Sequence, residues 1–67
     1  MEKLTRKIMN ERLKAEGIDS VKVLDVKRTG NLLPVRYLNK AGKPVVKLFD
    51  LSDPAHTALS HRYRIDY

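Results

Sequence analysis

The chain has 67 residues, and its 14 Lys and Arg against 8 Asp and Glu give a formal net charge of +6 at pH 7. It has no cysteine and no long apolar run, which excludes disulfides and cysteine-ligated zinc and argues against a signal peptide or a membrane-spanning helix. We therefore expect a single small basic domain over residues 1–67, in a soluble cytoplasmic protein that carries no cofactor or metal.

The first segment predicts a helix over residues 2–16. It contains no Gly or Pro, and Gly17 follows where a left-handed cap ends many helices. Met9 and Leu13 lie one turn apart, to one side of the main apolar stripe of this helix. At about 100° per residue, that stripe is formed by Met1, Leu4, Ile8 and Ala15.

The second segment, residues 19–28, is rich in valine and predicts a strand. Val21 and Val23 share one parity along it, whereas Leu24 and Val26 share the other. A β-bulge near Val23 and Leu24 reconciles the two halves, and the alternative is a strand covered on both faces. The turn signal Thr29-Gly30-Asn31 follows this strand.

The third segment predicts a β-hairpin formed by residues 33–38 and 45–49. Between them, Asn39 and Gly42 suit a type I turn that ends in a left-handed residue. With Leu38 opposite Lys43, two apolar pairs share the buried face: Val35 with Val46, and Leu33 with Leu48. The opposite face then carries Leu32, Phe49, Arg36, Lys43 and Lys47.

Proline in this hairpin limits where its first strand sits in a sheet. Pro34 has no N–H to donate to a neighbouring strand. We therefore expect the strand to lie at an edge at that point, or to be locally irregular there.

The last part of the chain begins a new helix. Asp53 is suited to be its N-cap and Pro54 its first residue, so a short helix is predicted over residues 54–61. Residues 62–67 form a basic, aromatic tail that is either a last strand or loose.

This order of elements predicts an α+β fold. An N-terminal amphipathic helix packs on a three-stranded antiparallel β-meander, which is followed by a short helix and a basic tail. Such an arrangement has two layers around one core.

The excess of cations predicts nucleic-acid binding through backbone phosphates, to DNA or RNA, with low sequence specificity. Cations are expected on the back of the helix, on the outer face of the sheet and in the tail. The predicted contact residues are Lys3, Arg6, Lys7, Lys14, Arg36, Lys43, Lys47, Arg62 and Arg64.

A competing hypothesis is a protein-interaction module, or a small regulator or inhibitor, that docks on a larger protein. An acidic protein surface is the alternative partner for the cations, and a homodimer is a further way for so short a chain to bury surface. The partner-binding residues under this hypothesis are four apolar side chains expected to be exposed: Met9, Leu13, Leu32 and Phe49.

Catalysis is not expected. His56 and His61 are five residues apart, so a helix does not stack them as a metal-binding i,i+4 pair. The glycines are scattered at predicted turns rather than gathered in a phosphate-binding loop. We therefore predict a protein without enzymatic activity.

Overall fold

The computed structural model of the chain describes residues 2–65. Its elements are β1 (Glu2–Lys3), α1 (Arg6–Ala15), β2 (Ser20–Val26), β3 (Leu32–Asn39), β4 (Pro44–Asp50), α2 (Thr57–Arg62) and β5 (Tyr63–Arg64). Strands β2, β3 and β4 form an antiparallel sheet in that order, and β1 pairs with β5 in parallel. The predicted mix of a helix, a three-stranded antiparallel sheet and a short helix is confirmed. Met1, predicted to join the apolar stripe, and residues 66–67 of the predicted tail lie outside the described residues.

Helix α1 begins later than its composition predicts. Thr5 is its N-cap, and the Thr5 hydroxyl accepts a hydrogen bond from the Ile8 N–H at 3.2 Å. Leu4 therefore precedes the helix, although its side chain is fully buried. The helical face that enters the core is defined by Met9 and Leu13, both fully buried. Of the stripe proposed from the sequence, Leu4 is in the core and Ile8 packs against it, although Leu4 precedes the helix. Ala15 is exposed, so its place in the stripe was wrong.

The end of α1 confirms the predicted glycine cap. Gly17 has φ of 80°, in the left-handed region that a side chain disfavours. The Ile18 N–H donates to the Leu13 carbonyl at 3.0 Å, and the Gly17 N–H donates to the Lys14 carbonyl at 3.0 Å. This pair of bonds is a Schellman motif, which turns the chain back toward the sheet.

Strand β2 contains the predicted bulge and a second one. The register against β3 shifts between Val23 and Asp25, as the valine parity predicts, and also between Ser20 and Lys22. As a result Val23 and Val26 both point into the core, at 3% and 2% exposure, although they are three residues apart. The bulge, rather than coverage on both faces, explains the sequence.

The β3–β4 turn is of the predicted kind, but its loop is one residue shorter. Gly42 has φ of 77°, and the Gly42 N–H donates to the Asn39 carbonyl at 3.0 Å. The Asn39 N–H donates to the Lys43 carbonyl at 3.0 Å, so Asn39 and Lys43 close a three-residue loop. A type I turn followed by a left-handed residue typically produces this loop length. Leu38 consequently pairs with Pro44 and not with Lys43.

This shift of one residue exchanges the two faces of β4. Val35 lies opposite Lys47 and Leu33 lies opposite Phe49 on the face that packs against α1. Phe49 is fully buried there, so the prediction that it is exposed was wrong. The outer face instead receives Val46 and Leu48, exposed by 61% and 55%, and the predicted burial of these two was wrong.

Pro34 lies in the central strand, so its strand is not a sheet edge. The Lys27 N–H donates to the Pro34 carbonyl at 3.2 Å, which shows that the polar groups of Pro34 face β2. Strand β2 has already ended at Val26, opposite Val35. The missing N–H of Pro34 therefore falls just beyond the β2–β3 ladder, where it costs no strand hydrogen bond.

The short helix α2 begins at Thr57, three residues later than predicted. Asp53 caps the turn before it, where the Asp53 carboxylate accepts from the Ala55 N–H at 2.9 Å. His56 is the N-cap of the helix itself and makes no side-chain capping bond.

The core lies between α1 and the inner face of the sheet. Leu51 and Leu59 close it after the last sheet strand, while Ile8, Ile18, Val45, Tyr63 and Ile65 pack around it. Its buried members are Leu4, Met9, Leu13, Val23, Val26, Leu33, Val35, Tyr37, Phe49, Leu51 and Leu59.

Candidate nucleic-acid interface

A cavity of about 320 Å³ lies between helix α1 and the edge strand β2. Among the residues that line it are three cations and no carboxylate. The lining residues are Arg6, Lys7, Asn10, Val21, Lys22 and Val23. An open cavity of this composition attracts an anion, because cations that share one concave surface reinforce each other's field.

A second cavity, of about 450 Å³, lies further along the same helix and strand. Its lining residues are Lys14, Gly17, Ile18, Asp19, Ser20 and Lys40. The cavities are neighbours, because Ser20 of the second donates a hydrogen bond to Asn10 of the first. We call the two cavities together the α1–β2 groove. Asp19 is its single carboxylate, and its five cations are Arg6, Lys7, Lys14, Lys22 and Lys40.

The helical spacing accounts for the row of cations on one wall of the groove. Arg6, Asn10 and Lys14 are four residues apart, so they stand on successive turns of one side of α1. Over these eight residues the helix rises by about 12 Å. The Arg6 guanidinium also reaches the Leu24 carbonyl, at 3.5 Å. Because Arg6 reaches Leu24 and Asn10 reaches Val21, the row follows β2 in the reverse direction.

The Asn10 side chain bonds helix α1 to strand β2 and is not free to bond a ligand. Its amide oxygen accepts from the Ser20 hydroxyl at 2.5 Å, and its amide nitrogen donates to the Val21 carbonyl at 3.5 Å. Ser20 is the buried polar residue of the described chain, at 3% exposure. Both polar atoms of Asn10 are therefore already engaged with β2.

Three of the predicted nucleic-acid-binding residues share this groove: Arg6, Lys7 and Lys14. Lys3 and Arg64 lie instead opposite each other in the β1–β5 pair. Arg62 ends helix α2, with its guanidinium carbon 5.8 Å from the centre of the Tyr63 ring. These three side chains do not line the groove.

The predicted cations of the hairpin do not form one group. Arg36 lies on the outer face of the sheet, and Lys43 is exposed in the β3–β4 turn. Lys47 lies on the inner side of β4, where its ammonium is 6.0 Å from the centre of the Phe49 ring. The prediction that Lys47 shares the outer face with Arg36 was wrong, because the shorter loop turned Lys47 inward.

The apolar residues offered as a partner surface are mostly core. Met9, Leu13 and Phe49 are fully buried, so their predicted exposure was wrong. Met9 and Leu13 define the inward side of α1, and Phe49 points inward because of the β4 register. Leu32 is exposed by 41% and is the one member of the four that faces solvent.

Two groove cations, Lys22 and Lys40, were missed as site residues. Lys22 lies within a valine-rich strand, and Lys40 lies in a turn, so neither shares a sequence period with the helix cations. The order of elements could have indicated Lys22. It belongs to the strand that follows α1 directly, and consecutive elements are usually neighbours in space.

Aromatic rings are absent from the lining of the groove as far as residues 2–65 are concerned. Tyr37 is 7% exposed, and Phe49 is fully buried. The ring of His56 contacts Phe49 edge-to-face, with centroids 4.7 Å apart. The rings therefore contribute to the core and not to a stacking surface.

A separate polar cluster follows β4. The Ser52 hydroxyl and the Ser52 N–H both donate to the Asp50 carboxylate, at 2.6 and 3.0 Å. These bonds, with the nearby charge of His56, hold the pKa of Asp50 below its ordinary value. No group of three or more His, Cys, Asp or Glu that suits a metal occurs within the described part of the chain.

Comparison with known proteins finds no family model, no curated protein and no solved structure that matches this chain significantly. Among the helices formed by residues 2–65, none has the length and apolar content needed to cross a membrane. Function is therefore inferred from the residues of this chain itself.

Proposed function

We propose that this protein binds nucleic acid through the sugar-phosphate backbone, in the α1–β2 groove, and that it carries out no reaction. The observation that carries the proposal is the grouping of five cations with one carboxylate along two neighbouring cavities. Each lysine that neutralises a phosphate releases bound counterions, and this release drives association with DNA or RNA.

The geometry of the groove favours a duplex over an unstacked single strand. Single-strand binders combine cations with aromatic rings on which bases stack, and no ring from residues 2–65 lines this groove. The helix wall between Arg6 and Lys14 is about 12 Å long. That length covers between three and four base-pair steps of about 3.4 Å each.

Low sequence specificity follows from the same residues. Reading a base edge requires a free bidentate side chain such as an amide or a guanidinium. Asn10 is engaged with Ser20 and Val21. Of the groove cations only Arg6 offers a planar fork, so most contacts are with phosphates, which carry no sequence information directly.

Salt titrations with matched charge variants test this proposal. Fluorescence anisotropy compares a short duplex with its two single strands, for the wild type and for a groove variant in which Lys7, Lys14 and Lys22 are changed to Gln. A control variant changes Arg36, Lys43 and Arg62 to Gln, which removes the same charge from exposed positions outside the groove. Each groove lysine removed should lower the slope of log affinity against log salt by about 1.

The control variant should keep the wild-type slope. Equal losses in the two variants would mean that diffuse charge, and not the groove, binds the ligand. Absence of binding to any oligonucleotide in low salt would reject the proposal. Polyglutamate is included as a competitor, because competition equal to that of duplex DNA would favour the alternative partner, an acidic protein surface.

A further inference from the structure

The outer face of the three-stranded sheet has no layer packed on it by residues 2–65. It carries three large apolar side chains with substantial exposure: Leu32 at 41%, Val46 at 61% and Leu48 at 55%. A cavity of about 300 Å³ opens on the same face, and it is lined by Asp25, Lys27, Pro34, Arg36 and Val46. Exposed apolar residues grouped in this way mark an interaction surface.

The strand register orders this face into four rows across the strands. Successive rows are separated by about 7 Å, because outward residues alternate along each strand. From one end of the sheet to the other, the rows are Leu38 and Pro44; then Asp25, Arg36 and Val46; then Lys27, Pro34 and Leu48; and finally Leu32 and Asp50. Lys22 is paired with Leu38 at the β2 edge of the first row, where it lines the α1–β2 groove.

We propose that this outer face binds the same face of a second copy of the chain, around a two-fold axis that runs across the strands between the second and third rows. Such an axis places each strand over its own copy and reverses the order of the rows. The apolar pair formed is Val46 over Leu48 of the second copy. The charged pair formed is Asp25 over Lys27 of the second copy.

The outermost rows are complementary as well. The same axis places Leu38 over Leu32 of the second copy. Asp50 meets the Pro44 end of the second copy, where the neighbouring residue is Lys43. Packed sheets lie about 10 Å apart and are rotated by about 30°, which these side chains span.

The charges of this face favour a second copy over an acidic partner. The face contains carboxylates as well as cations, and Asp25 lies directly opposite Arg36 in the β2–β3 ladder. Neither Asp25 nor Arg36 forms an ion pair with any residue of the described chain. Asp25 is therefore available to a cation, and a two-fold copy supplies one, Lys27.

The dimer is expected to be weak. The three strands have seven or eight residues each. They cover about 14 by 24 Å, which is less than half of a standard interface on each partner. We expect a dissociation constant on the order of 10 to 100 μM. The α1–β2 groove lies along the β2 edge, between the helix and the sheet, and Lys22 is its one lining residue that borders the outer face. Lys22 has no partner across the proposed axis, so the dimer leaves both grooves open.

Sedimentation equilibrium tests the apolar contact. The wild type should dimerise below about 1 mM. Leu48→Lys should weaken the dimer on the order of 100-fold, since each dimer loses two buried leucines. Val21→Lys is the matched control, because Val21 has 54% exposure but lines the groove. Circular dichroism checks that both variants fold. If Leu48→Lys does not fold, Val46→Lys is used in its place.

Charge reversal tests the two-fold pairing. Asp25→Lys alone and Lys27→Asp alone should each weaken the homodimer about tenfold at low salt, because each creates two like-charged contacts. An equimolar mixture of the two variants should dimerise as the wild type does. In the mixed dimer, the lysine introduced at position 25 of one chain meets the aspartate introduced at position 27 of the other. These outcomes are specific to the proposed axis.

Three results would overturn the proposal. They are a wild type that stays monomeric up to about 1 mM, a Leu48→Lys variant that dimerises like the wild type, and a mixture of charge variants that fails to recover the dimer.

Nucleic-acid binding is a separate readout. The dimer should persist in about 1 M salt, where the screening length is about 3 Å and phosphate binding is lost.

Discussion

The Ser20 hydroxyl donates a hydrogen bond to Asn10 Oδ1 at 2.5 Å, and this bond joins helix α1 to the edge strand β2. Ser20 is 3% exposed, so water has little access to this hydrogen bond. Ser20→Ala should lower the free energy of unfolding by about 1–2 kcal/mol, because it leaves the Asn10 oxygen without its donor. Urea denaturation measures the change.

Ser60→Ala is the control for this prediction. The Ser60 hydroxyl donates to the Thr57 carbonyl at 2.8 Å within α2, so its loss separates no two elements. We expect a loss of less than about 0.5 kcal/mol. Similar losses for Ser20→Ala and Ser60→Ala would show that the Asn10–Ser20 bond does not hold the helix to the strand.

Neighbouring residues of β4 provide a test of its register. Phe49→Ala should cost about 3–5 kcal/mol, because Phe49 is fully buried. Leu48→Ala should cost no more than about 0.5 kcal/mol, since Leu48 is 55% exposed. Both are measured by urea denaturation at a protein concentration low enough for monomers. The reverse ranking would support the four-residue loop and bury Leu48.

The β3–β4 hairpin shows where sequence reasoning succeeds and where it stops. The turn type follows from two residues. The Asn39 side chain accepts a hydrogen bond from the Lys43 N–H, and Gly42 supplies the left-handed φ. The register depends on whether the loop has three or four residues, and both choices give plausible faces. Val46 and Leu48 are as apolar as Val45 and Phe49, so burial alone did not choose between them.

Gly42 is a position where backbone conformation alone sets the cost of substitution. Its φ is 77°, and a side chain there would meet nothing within 4 Å. Gly42→Ala should therefore destabilise by about 1–2 kcal/mol through left-handed strain alone. Thermal denaturation should show a fall of about 4–8 °C for each kcal/mol lost.

Gly42→Asn provides the comparison, because asparagine tolerates the left-handed region better than alanine. The asparagine variant should lose clearly less stability than the alanine variant. Equal losses would indicate a steric or hydrogen-bonding cause instead of backbone strain.

Asp50 should make folding depend on acid pH. The Ser52 hydroxyl and N–H hold the pKa of Asp50 below the ordinary value of 3.8. Because the folded pKa is the lower one, the ionised carboxylate favours folding above the ordinary value, and this contribution is lost as the pH falls through the folded pKa.

Ser52→Ala tests the cause of this shift. It removes the hydroxyl donor, which is the largest cause, and the pKa of Asp50 should rise toward its ordinary value. NMR titration of the Asp50 carboxyl carbon measures the pKa directly. An unchanged pKa in the variant would assign the shift to the Ser52 N–H and to His56 instead.

The helix and the groove were only partly predictable for a different reason. The composition of residues 2–16 favours a helix throughout, yet Thr5 caps it and Leu4 turns into the core ahead of it. Arg6, Lys7 and Lys14 were recognised because helical spacing groups them. Lys22 and Lys40 join them only through tertiary packing of the strand and turn, which no local period records.

The pairing of β1 with β5 has a consequence for the order in which the chain folds. Glu2 pairs with Tyr63, and no other paired strands in the described chain are so far apart in sequence. Closing so long a loop is entropically slow, and the reward is only two residues of parallel ladder. The two ends should therefore meet late, after the hairpins have formed, and should part first on unfolding. Because the Leu4 N–H donates to the Arg64 carbonyl at 2.8 Å, this late contact also secures the entry into α1.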